Sequence, residues 1–211
     1  MTTSTPLTGD LAASGQVDPS TDGERADLLA TLAQHRHFLR FTARGLTDEQ
    51  ARQRTTVSEL SLGGLIKHVT LAERGWANFI VAGTSAMADS AAMTEEDWAR
   101  RAEEFRLLPS ETLAGLLADY AEVARRTDAL VAALPDLNDG HPLPKAPWFA
   151  PGARWSHRRV FLHIIAETAQ HAGHADIIRE SLDGAKSMGC PPGNGRRPQA
   201  RWHRQQPTLP G

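Results

Sequence analysis

The chain has a single cysteine, Cys190, in 211 residues. No intramolecular disulfide can form, and a metal site built only from thiolates is excluded. Long apolar runs are also missing: none approaches the roughly 20 residues needed to cross a bilayer. The opening stretch MTTSTPLTGDLAASGQ has neither the basic nor the apolar region of a secretion signal. A soluble cytoplasmic protein is expected, without a membrane partner. There is no excess of charge of one sign, because 23 Lys and Arg stand against 25 Asp and Glu, for a net charge of −2 and a pI near 6.5. The cations are scattered, so nothing favours nucleic acid, and a small molecule or another protein is the expected partner. Strand-like alternation and fixed-period repeats are absent too.

What remains is helical periodicity. Four long segments carry apolar residues every three or four positions. The first is capped by Thr21 or Asp22, buries Leu28, Leu29, Leu32 and Leu39, and ends near Gly45; its His35 and His37 fall on different faces and read as surface residues. The second follows Ser58 or Ser61, buries Leu62, Leu65, Ile66, Val69, Ala72, Trp76 and Phe79, and carries His68 on that stripe. Its Gly63-Gly64 pair is poor helix material, which fits close approach of another backbone or of a ligand and equally a plain packing contact. The third starts at Pro109-Ser110-Glu111 and stops by Pro135. The fourth runs from Ser156 to Gly184. Short helices follow Thr47 and Thr94.

These elements predict an all-α four-helix bundle with short accessory helices over residues 23–184, between a flexible N-terminal tail, 1–22, and a Gly/Pro-rich C-terminal tail, 185–211. The proline-rich link 136–155 leaves room for a crossover, and its Trp148, Phe149 and Trp155 need something to pack on.

The fourth helix carries the chemistry. At about 100° per residue, His163, Glu167, His171 and His174 fall within an arc of roughly 80°. Val160 and Ile178 share that arc, and Ile164 and Ala175 border it, so the polar groups point inward. Buried imidazoles and a carboxylate are costly unless they pair, hydrogen-bond or hold a metal. Glu167 and His171, at i and i+4, with His68 from a facing helix, form the smallest set that makes a metal site with open positions for water or substrate. Zinc accepts this mixture, as do iron and nickel. The competing reading is a hydrogen-bonded core pair. His174 can replace Glu167 as a ligand, and His163, one turn further along, supports a ligand or packs.

The segments GLIKHVTLAERGW around His68 and LHIIAETAQHAGHADIIRESLDG around His171 resemble the two metal-bearing stretches of the DinB superfamily, in the branch of mycothiol-dependent enzymes. The resemblance runs from about Glu24 to Gly184. It implies a DinB-like bundle with His68, Glu167 and His171 as ligands to a divalent metal, zinc foremost. Glu167 stands where many relatives have His, and His174 where many have Gln, which leaves His174 open as ligand, proton carrier or hydrogen-bond partner. The implied chemistry is activation of a mycothiol-like thiol for S-transfer to, or isomerisation of, an electrophilic small molecule. In that scheme His174 moves the proton, Arg74, Arg158 and Arg159 hold the thiol cosubstrate, and Trp76, Trp148 and Trp155 wall the pocket. The alternatives are a metal-dependent hydrolase using water, or a metal- or small-molecule-binding stress protein without turnover. A homodimer is compatible with the apolar surface left over.

Overall fold

The computed structural model describes residues 19–87, 90 and 92–187. Six α-helices are formed: α1 Pro19–Thr42, α2 Asp48–Arg52, α3 Leu62–Ala82, α4 Glu95–Glu103, α5 Leu113–Ala133 and α6 His157–Asp183. Both predicted tails beyond these limits, with Cys190 and Trp202, lie outside the described residues. Helix α1 starts a little earlier than a cap at Thr21 or Asp22 requires, with Pro19 in the first turn, where its missing N–H has no intrahelical partner.

Three of the long helices begin on a hydroxyl cap. Ser61 accepts from the Gly64 N–H, Thr112 from Gly115 and Ser156 from Arg159, each satisfying a donor that the helix itself cannot. The start of α5 is therefore Thr112 rather than Pro109-Ser110-Glu111. The earlier residues are held in a turn because Glu111 is engaged elsewhere: its carboxylate accepts from the Leu108 N–H and pairs with Lys67. Asp48 of α2 receives the Leu113 N–H at 2.8 Å, tying the short helix to the start of α5.

The core consists of two apolar clusters at opposite ends. One gathers Leu28 and Leu32 with Phe79, Ile80, Val131, Val160 and Ile164. The other gathers Leu39 with Leu62, Leu65, Leu116, Ala175 and Ile178. Chain order through the clusters shows that α1 and α6 run one way and α3 and α5 the other. The sequential neighbours α1 and α3 lie diagonally, as do α5 and α6, while α3 packs against both α5 and α6. Simple up-down succession is thus replaced by crossing connections.

Between the clusters lies a buried ion pair that helical periodicity alone had not flagged. Arg36 is 5% exposed and Glu73 1%. The guanidinium donates to Glu73 Oε1 at 2.5 Å and Oε2 at 3.2 Å, and to Asp128 Oδ1 at 2.7 Å. One arginine so joins α1, α3 and α5.

Two connections shape the site. The segment after α4 passes so close to α3 that a Cβ built on Gly64 would stand 1.8 Å from the Phe105 carbonyl oxygen, and on Gly63 2.9 Å from Leu107 side-chain carbons. The close approach expected from the glycine pair is that of another backbone. The proline-rich link contains a short antiparallel hairpin, β1 Gly140–Pro142 with β2 Arg154–Ser156, whose three-residue strands are too short for an alternating pattern. Gly140 permits it, since a Cβ there would meet the Trp155 carbonyl at 1.9 Å. The hairpin docks on the end of α3 through His141, whose Nε2 lies 3.0 Å from the Ile80 carbonyl.

Candidate metal centre and its cavity

His68 lies two turns into α3 and Glu167 and His171 near the middle of α6, and the packing of α3 on α6 brings them together. Glu167 Oε1 lies 3.2 Å from His68 Nε2 and 3.2 Å from His171 Nε2. One potential ligand atom from each residue falls within 4.8 Å of the others. The three side chains are 12–27% exposed. Hydrogen bonds from His171 and then His68 hold the Glu167 carboxyl well below the usual carboxylate range. Two imidazole nitrogens and an ionised carboxylate oxygen converging on one point fit a divalent cation such as zinc. Nδ1 of His68 is buried without a hydrogen-bond partner among the described residues. His174 Nδ1 lies 3.4 Å from His171 Nδ1, behind the ligand set.

Phe105 covers the imidazoles. Its ring stacks on His68 at 3.9 Å and 19°, and meets His171 edge-on at 6.3 Å. Sequence reasoning missed this residue. The available signal was the glycine pair of α3, which admits the backbone that carries it.

His68 and Glu167 form part of the wall of a cavity of about 380 Å³. Trp76, Trp148 and Trp155 line it, with His163. Burial pushes the His163 pKa down, so its imidazole is neutral at neutral pH. His171, His174 and the three arginines are not among the residues that line the cavity. Arg74 pairs with Asp119 and Arg158 with Glu24 and Asn138, while the Arg159 guanidinium lies 4.9 Å over Trp155. The cation in the lining is Arg101 of α4.

A four-helix bundle with a two-histidine, one-glutamate cluster between its second and fourth long helices has the form of a DinB-like protein. The model of the mycothiol-S-transferase family matches residues 27–184, and the chain belongs to that family, within the DinB-like superfamily. No curated protein sequence matches it. Among the described residues, no helix is long and apolar enough to cross a membrane.

Proposed function

We propose that the protein is a metal-dependent transferase that joins the sulfur of mycothiol to an electrophilic small molecule. The observation that carries this reading is the convergence of His68, Glu167 and His171, with His68 and Glu167 in the wall of a cavity large enough for a small substrate. A divalent cation held by these groups, zinc by the nature of the donors, would lower the pKa of a thiol placed at its open position.

The chain's own residues supply position and exclusion of water. Glu167 Oε1 lies 3.2 Å from the Nε2 atom of both imidazoles, so the three ligand atoms already face one point, and Phe105 shields the rings from solvent. His174 is a positioning residue: with a metal on Nε2 of His171 the imidazole proton would sit on Nδ1 and would donate to His174 Nδ1, 3.4 Å away, which would fix the tautomer. The neutral His163 imidazole faces the cavity and is the side chain able to take up the thiol proton there. In the reaction the sulfur bonds to the electrophilic carbon, the leaving group departs with its bonding pair, and the thiol proton passes through His163 to solvent.

The test is to incubate zinc-loaded protein with mycothiol and an alkyl or aryl halide and follow the conjugate by mass spectrometry. Conjugate that disappears in His171→Ala supports the reading. A product formed equally well without thiol assigns a water nucleophile instead, and no product across a broad panel removes the transferase assignment.

A further inference from the structure

The cavity is lined by the candidate ligands His68 and Glu167 and by a group of aromatic rings. From His68 it follows the face of α3 that carries Ala72 and Gly75, one and two turns further on. A Cβ built on Gly75 meets no atom within 4 Å. Glycine in mid-helix is disfavoured relative to alanine, so this opening is kept against the helix's own preference.

Aromatic rings stand beside the opening. Trp155 lies parallel to Trp76, with centroids 4.8 Å apart and an interplanar angle of 15°. His163 meets both indoles edge-on, at 4.8 and 5.1 Å, and Phe149 meets Trp155 edge-on at 5.7 Å. Met87 and Met93 complete this part of the lining. Such walls offer ring faces, ring edges and thioethers, which favour another flat ring beyond area burial. The rings suit the electrophile, while Ser90, Arg101 and Glu104 elsewhere in the lining can meet the polar body of mycothiol.

We propose that the aromatic-lined part of the cavity binds a flat aromatic electrophile, and that Gly75 is the specificity-determining position that sets the size of ring admitted. This rests on the thiol-transfer reading of the same site. For a halogenated nitroarene the balance is simple: the carbon–sulfur bond forms, the carbon–halogen bond breaks, and halide and the thiol proton are released.

The experiment pairs binding with turnover on the full-length, zinc-loaded protein. Binding of 2,4-dinitroaniline, a flat ring without a leaving group, is measured by calorimetric titration in the absence of thiol. In parallel, kcat/KM with mycothiol is compared for 1-chloro-2,4-dinitrobenzene and for iodoacetamide, a small aliphatic electrophile. The wild type is expected to bind dinitroaniline saturably, with affinity at least tenfold weaker in Gly75→Leu and about threefold weaker in Gly75→Ala. The aromatic-to-aliphatic ratio of kcat/KM should fall at least tenfold in Gly75→Leu. Gly75→Ala, whose added methyl enters open space, keeps the test valid if the leucine variant does not fold. Equal dinitroaniline affinity in wild type and both variants, or no saturable binding, overturns the proposal. Gly75-dependent binding with no conjugate from either electrophile refutes thiol transfer while leaving the aromatic site standing.

Discussion

Two glycine-to-alanine changes on one helix should move stability in opposite directions. Gly64 and Gly75 both lie in α3, where alanine is favoured over glycine by about 1 kcal/mol. At Gly75 nothing opposes that gain, because the new methyl meets no atom within 4 Å. At Gly64 the methyl would fall 1.8 Å from the Phe105 carbonyl oxygen and 2.5 Å from its carbon. These are backbone atoms, so the segment must retreat by more than about 1 Å to restore van der Waals contact. Leu107, 5% exposed, moves with it, and the Phe105 ring lifts from His68. Overpacking typically costs about 1–3 kcal/mol; a clash with backbone belongs near the top of that range, leaving a net loss of about 2 kcal/mol after the helix gain. In a domain of this size 1 kcal/mol is roughly 2–4 °C of melting temperature. Gly64→Ala should therefore melt about 4–8 °C below the wild type and Gly75→Ala about 2–4 °C above it. Calorimetry and guanidinium unfolding followed by far-UV circular dichroism give both numbers. Shifts of the same sign and size would refute the reasoning, since they would mean that the Phe105 approach exerts no constraint.

Three further outcomes follow from the site and its support. Free zinc at a hundred times its dissociation constant should stabilise the protein by about 2.7 kcal/mol, and His68→Ala, Glu167→Gln and His171→Ala should each remove most of that gain in a thermal melt. A gain that survives all three places the ion elsewhere. Glu73→Gln should cost about 3–5 kcal/mol by chemical denaturation, because Arg36 stays buried with only the half-exposed Asp128 to balance it; pairing it with Arg36→Met should recover most of the loss, and a single-variant loss below about 1 kcal/mol would show that the pair is dispensable. For His163, burial sets the folded-state pKa below that of the unfolded chain. The unfolded state takes up the proton first, so stability falls as pH drops through about 6.5 towards the lower folded value. His163→Gln should flatten that slope in urea titrations between pH 7 and 5, and an unchanged slope would place the imidazole in water.

The four long helices were legible because each buries a stripe, and the stripe repeats at the helical period. The Glu167 and His171 spacing was legible for the same reason. Their partner required topology: the stripe on α3 says that His68 points inward, but only the diagonal placement of α1 and α3 makes α3 and α6 neighbours. Arg36 and Glu73 occupy stripe positions, four residues after Leu32 and Val69, but their pairing is a contact between α1 and α3 that no single-helix pattern contains. The hairpin left no alternation to find, since three residues per strand hold their register by docking on α3 rather than by a two-sided pattern. The arginines show the complementary limit: composition puts cations near the site in sequence, whereas Asp119 and Glu24 decide where they go.

His68 and Glu167 are separated by 99 positions in the chain. An ion held between them would act as a removable cross-link, closing a loop whose tethering in the unfolded chain is worth on the order of 4–5 kcal/mol for a permanent covalent bridge. A protein with a lone cysteine would then have a fastening that responds to metal supply rather than to redox state. Amides along the seam between α3 and α6 should exchange with solvent more slowly when the metal is present, and a chelator should release them together.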